Sequence, residues 1–239
     1  MIKDVMVRLD GTSGDDVRLA AVSWIAEIFE SHITGLFFNV LPPPPIQASL
    51  DGADAGQASK LLATAKQAGD AVEAVVFERL TRLQRPINLR RFDVIGDGDI
   101  SDTASPLARA ADTFVALRPN DRSNEPEGLI ENLLFGTGRH LFLVPEDWKA
   151  MAPWDNVVVA WNGSRESARA LAESLPYLHQ AKKVGILVVE GEHPTEADAL
   201  KANDAVLHLR HHGIDAVKYR AIGEEDEIAD GQLWPLPSA

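Results

Sequence analysis

The chain has 239 residues, a formal net charge of −13 and no cysteine. That charge excludes a nucleic-acid backbone or an anionic membrane surface as partner, because both would be repelled at long range. The missing cysteine excludes disulfides, thiol catalysis and zinc–thiolate sites. The first residues, MIKDVMVRLDG, read as a strand without the apolar core of a signal peptide, and no apolar run approaches membrane-spanning length. The expectation is a soluble, cytoplasmic protein.

The chain opens with a strand from Asp4, broken by Asp10-Gly11-Thr12. Ser13 to Asp16 gives an acidic helix start that suits the positive end of the helix dipole. Val17, Ala20, Trp24 and Ile28 then predict an apolar stripe. A second strand, Ile33 to Val40, runs into Pro42 to Pro45, read as a stiff surface loop. Gly56 to Leu83 predicts a long helix ended by Pro86, with Leu61, Ala65, Ala68, Val72, Val75 and Leu83 on its buried side. Strand three is Ile87 to Ile95, turned by Gly96-Asp97-Gly98. A helix over Ser101 to Ala111, a strand over Thr113 to Leu117 and a polar loop over Pro119 to Glu127 follow. Gly128 to Phe135 reads as helix, Gly136-Thr137-Gly138 breaks it, and His140 to Val144 is a fifth strand closed by Pro145. Trp148 to Trp154 is the expected joint between domains.

Asn156 to Glu190 then repeats the opening plan of strand, turn, helix and strand. Asp10 faces Asn162, Gly11 faces Gly163, Thr12 faces Ser164 and Leu19 faces Leu171 in one register, so a duplication is the simplest account. Val157 to Val159 is a β-branched run of the kind found in a parallel strand covered on both faces. Ser164 is placed to cap the next helix, whose stripe is Ala168, Leu171, Leu175 and Leu178. After the strand Val184 to Val189 come a helix from Glu196 to His212, Gly213 and a strand from Ala216 to Ala221. Glu224 to Asp230 could begin another helix, and Gly231 to Ala239 reads as a tail. The expectation is two tandem α/β domains with parallel sheets, 1–147 complete and 153–239 truncated.

A glycine turn after strand one puts a ligand crevice at the carboxyl ends of the strands. Asp10 and Gly11 lie there in the first domain, Asn162 and Gly163 in the second. The pattern VVVAWNGSRESARAL followed by VGILVV closely resembles the universal stress protein family. The first domain resembles it along its whole length, the second until the chain ends. The resemblance implies an α/β sheet of strand order 3-2-1-4-5, stress-response function without catalysis, and ATP as a ligand of many members. In ATP-binding members an acid at the end of strand one meets adenine or ribose, and Asp10 matches it. A later motif, glycine, two residues, glycine, nine residues, glycine, then serine or threonine, wraps the phosphates. Here Gly128 is followed by Glu131 where the second glycine belongs, and Gly136-Thr137 arrives after four residues instead of nine. A backbone that must approach a triphosphate needs those glycines. The departure predicts weak or absent ATP binding in the first domain, with any nucleotide lying between Asp10 and Gly136.

Each residue also has a plainer reading. Asp10 and Gly11 can serve only to close the strand–helix turn. Gly136-Thr137-Gly138-Arg139 can clasp an anion with backbone N–H groups and a guanidinium, or simply stop a helix. His208, His211 and His212 have helical metal-ligand spacing, but in the last turn before Gly213 they suit the helix dipole, and no metal is expected. The preferred reading is a binding and association protein without catalysis; a ligand-free interaction or scaffold module is the first alternative. An ATP-using enzyme on a related fold is the second, but Ser13-Gly14-Asp15-Asp16 reproduces only half of a pyrophosphatase loop. A receiver domain would want a lysine near Pro145. With strands four and five missing from the second domain, Val157 to Trp161 would lie at a sheet edge, and a homodimer is expected to cover it.

Overall fold

A computed structural model describes residues 1–43, 52–119, 125–149, 154–190 and 196–222. The chain forms two compact units, Met1–Ala150 and Met151–Ala239. The first contains β1 (Asp4–Leu9), α1 (Gly14–Phe29), β2 (His32–Val40), α2 (Gly52–Thr81), β3 (Ile87–Val94), α3 (Asp97–Ala108), β4 (Thr113–Leu117), α4 (Leu129–Gly136) and β5 (His140–Val144). Its strands pair in parallel in the order β3-β2-β1-β4-β5. Parallel strands need a crossover, and the helices supply it. The central strands are apolar on both faces: Val5, Val7, Ile33 and Val115 on one, and Leu36, Phe114 and Ala116 on the other, are at most 1% exposed.

The second unit contains β6 (Asn156–Ala160), α5 (Arg165–Leu178), β7 (Lys183–Glu190), α6 (Glu196–His211) and β8 (Ala216–Ile222). Its three strands pair in parallel in the order β6-β7-β8, around Leu178, Ile186 and Leu209. Among the described residues β6 pairs only with β7, so one side of it is an edge within this sheet. The fold class expected from the sequence is the one observed, with a smaller second sheet. Pro44 and Pro45, part of the 119–127 loop and of the joint, and the tail lie outside the described residues.

Three helix faces differ from expectation. On α1 the buried positions are Asp15, Arg18, Leu19, Ala21, Val22, Ile25, Ala26 and Phe29, about one residue out of phase with the expected stripe. Two of them are charged, so a search for apolar spacing settles on the neighbouring line. On α2, Leu61 and Val75 are 55% and 44% exposed, while Val76 and Leu80 are fully buried. The reason is close approach at Gly69, where an added Cβ would lie 2.5 Å from the Asn39 side chain. A glycine gives no hydrophobic signal, yet it fixes which way the helix turns. On α5, Leu171 and Leu178 are buried as expected, but Ala168 is exposed. Helix α3 begins at Asp97, four residues before the expected start, with Gly96 in the N-cap position.

Candidate functional site

In the first sheet β1 is flanked by β2 and β4, and the chain leaves it in opposite directions. That reversal makes the carboxyl ends of β1 and β4 the place where such a sheet opens a crevice. Leu9 ends β1 and Leu117 ends β4. Asp10 follows, and its Oδ1 accepts a hydrogen bond from the Thr12 N–H at 2.9 Å and another from the Thr12 hydroxyl. Gly11 adopts φ +80, a region that favours glycine. An added Cβ there would lie 2.6 Å from Val72 Cγ1 of α2.

The first turn of α1 directs charge into this crevice. The Asp15 carboxylate accepts the N–H groups of Asp10 at 3.2 Å and Gly11 at 2.8 Å. Arg18 Nη1 donates to Asp15 at 3.0 Å and to Asp10 at 3.5 Å, and its Nε donates to Glu125 Oε1 at 2.9 Å. The same Glu125 oxygen accepts the Leu117 N–H at 3.0 Å. Arg8 Nη1 lies 3.2 Å from both Glu125 and Asp10. The side chains of Arg18 and Asp15 are 0% exposed and that of Glu125 3%. At the rim, Arg79 donates to the Thr12 carbonyl at 2.8 Å and lies 3.8 Å from Asp15.

Burial alone would raise the Asp10 carboxyl, but the Thr12 hydrogen bonds and the Arg8 and Arg18 charges outweigh it and hold the group below its ordinary value. Asp15 goes the other way, because burial and the Asp10 charge beside it exceed its two backbone donors and Arg18. Arg18 is desolvated, yet Glu125, Asp10 and Asp15 together strengthen its hold on the proton. Arg8 and Arg18 lie against Asp10, Asp15 and Glu125, and Arg79 at the rim lies 3.8 Å from both Asp15 and Asp16. The crevice is filled by the chain's own side chains, with opposite charges in contact.

The other residues named from the sequence do not converge here. Gly128 is the N-cap position of α4, at φ +73. Gly136 ends α4, and α4 runs back from the carboxyl side of β4 to the amino end of β5. Gly136, Thr137, Gly138 and Arg139 therefore lie at the amino ends of the strands and Asp10 at the carboxyl ends, so the topology separates the two sides of the expected nucleotide site. Thr137 Oγ1 donates to the Leu133 carbonyl at 2.6 Å and accepts the Arg139 N–H at 3.0 Å. Arg139 Nε donates to the Arg109 carbonyl and Arg109 Nε to the Gly136 carbonyl. These are the bonds of a helix stop tied to the end of α3.

The repeat carries the turn but not the charges. Asn162 Oδ1 accepts the Ser164 N–H at 3.0 Å, as Asp10 does from Thr12, and Gly163 adopts φ +74. Ser164 caps α5 through the Ser167 N–H at 3.1 Å. In the same register Arg8, Asp15 and Arg18 face Ala160, Ser167 and Ala170. Turn closure is thus common to both units, and the ionic cluster belongs to the first alone. Sequence reading missed Arg8, Asp15, Arg18 and Glu125 as a group. In the second unit the rings of His208 and His212 lie 4.7 Å apart on the exposed end of α6. Among the described residues no group of three or more metal-ligating side chains forms, and no helix is long and apolar enough to cross a membrane.

No protein-family model matches the sequence, and no curated protein matches it. Solved structures do match in shape. A universal stress protein from Archaeoglobus fulgidus DSM 4304 aligns with a TM-score of 0.63 at 12% identity, covering 96% of this chain and 82% of that one. A functionally unknown protein from Pseudomonas aeruginosa PAO1 aligns with a TM-score of 0.53 at 11% identity, covering 97% and 77%. At such identities the likeness is one of fold. With a first sheet of order 3-2-1-4-5 and a smaller sheet built on the same repeat, the chain has the universal stress protein fold.

Proposed function

We propose that this chain is a non-catalytic protein of universal-stress type that acts in the stress response by associating with protein and holds no adenine nucleotide in its first unit. The observation that carries the reading is the filled crevice. Asp10, the residue that matches the nucleotide-contacting acid, already accepts two hydrogen bonds from Thr12 and lies among Arg8 and Arg18. A nucleotide would have to break a largely buried ion network and leave charges unpaired there. The close approach of Val72 to Gly11 further favours a structural turn over a phosphate cradle.

Association is supported by β6, which among the described residues pairs with β7 alone and so presents an edge within its sheet. An apolar edge such as NVVVA invites pairing, and two copies of one chain related by a twofold axis satisfy it commonly. The test is mass spectrometry of small molecules released from protein purified without added nucleotide. The reading expects none in stoichiometric amount. One equivalent of ATP or another adenine nucleotide would overturn it in favour of a nucleotide-binding protein.

A further inference from the structure

Four of the charges at the switch point, Arg8, Asp10, Asp15 and Arg18, come from β1, the turn after it and the first turns of α1. Glu125 comes from a position 107 residues beyond Arg18, ahead of α4. Its carboxylate makes the contacts that a bound oxyanion would make. One oxygen accepts the Leu117 N–H at 3.0 Å and Arg18 Nε at 2.9 Å, and the other lies 3.2 Å from Arg8 Nη1. Two guanidinium groups and a backbone N–H converging on one carboxylate form a donor set suited to oxyanions. Without Glu125, Arg8 and Arg18 each lose one carboxylate partner, and the Leu117 N–H loses its acceptor.

We propose that this crevice is an oxyanion site that the chain keeps filled with its own Glu125 carboxylate, and that it takes a small free carboxylate when that side chain is removed. The proposal rests on the reading that the first unit holds no nucleotide. Arg8, Arg18 and the Leu117 N–H are the binding groups; Asp10 and Asp15 orient the guanidiniums and set the charge. Glu125 is then a built-in occupant that keeps anions out of the place where this fold opens a crevice.

The experiment is chemical rescue of Glu125→Ala, followed by urea unfolding in sodium acetate against sodium chloride at equal ionic strength. The variant should unfold at lower urea than the wild type in chloride. Acetate should raise its folded-to-unfolded ratio by a factor of one plus the ratio of acetate concentration to Kd, roughly tenfold at about ten times the dissociation constant. Wild type and Glu125→Gln, whose crevice is already filled, should gain nothing specific from acetate. Adding Arg8→Met to Glu125→Ala should abolish the rescue. The proposal is overturned if acetate and chloride act alike on Glu125→Ala, if acetate stabilises the wild type equally, or if Glu125→Ala stays unfolded in both salts while Glu125→Gln folds. ATP titrated into the wild type tests the nucleotide-free reading separately, so the two failures are distinguishable.

Discussion

Replacing Arg18 by methionine should destabilise the first unit more than any other single change at the crevice. The Arg18 side chain is 0% exposed and lies 2.9 Å from Glu125, 3.0 Å from Asp15 and 3.5 Å from Asp10. Methionine fills much of the volume but leaves three carboxylates facing one another with Arg8 as the remaining inner cation. Removing one partner of a buried ion pair typically costs about 3–5 kcal/mol. Against a whole-domain stability of about 5–15 kcal/mol that is a large fraction. Urea unfolding at neutral pH gives the size of the loss, and hydrogen exchange at Val7 and Val115 assigns it to β1 and β4. As pH falls Asp15, held above its ordinary value, takes up a proton before Asp10, held below its own, and the difference from wild type should shrink. A variant within about 0.5 kcal/mol of wild type at neutral pH, the range of an ordinary surface change, would refute the claim that this network holds the crevice shut.

Gly11→Ala should destabilise by more than about 1 kcal/mol, because it combines strain at φ +80 with a Cβ 2.6 Å from Val72; unfolding at unchanged midpoint would contradict the close packing of α2 on the turn. Ser164→Ala should cost about 1 kcal/mol through loss of the Ser167 cap, read as lower helicity and faster exchange at the start of α5. Asp10 has its folded value held below 3.8, so its contribution to stability is complete above that pH and is lost as pH falls through the folded value. An NMR titration placing the Asp10 midpoint above 3.8 would reverse the sign. Sedimentation equilibrium at micromolar concentration should give twice 26.0 kDa; a monomer throughout would leave the β6 edge covered within one chain.

The elements were legible where burial is expressed by apolar runs between turn residues. β4 and β5 begin and end at the residues read from the sequence, Thr113 to Leu117 and His140 to Val144. The duplication was legible because Asp10-Gly11-Thr12 and Asn162-Gly163-Ser164 close the same turn with the same bonds. Helix phase was less so, since α1 buries Asp15 and Arg18 and α2 packs through Gly69, and none of these looks hydrophobic. The glycine motif was found as composition, but only the parallel pairing of β4 and β5 shows that Gly136 ends a helix at the amino ends of the strands. Glu125 lay in a polar loop, and nothing in local spacing links it to Arg18 across 107 residues.

The central claim is that the crevice at Asp10 is occupied by the protein's own charges. Titrating ATP into the nucleotide-free full chain by isothermal calorimetry tests it most directly. The account predicts no saturable heat, corresponding to a dissociation constant weaker than about 1 mM, or less than about 4 kcal/mol of binding free energy. Stoichiometric binding in the submicromolar range, lost on replacing Asp10 by alanine, would contradict it.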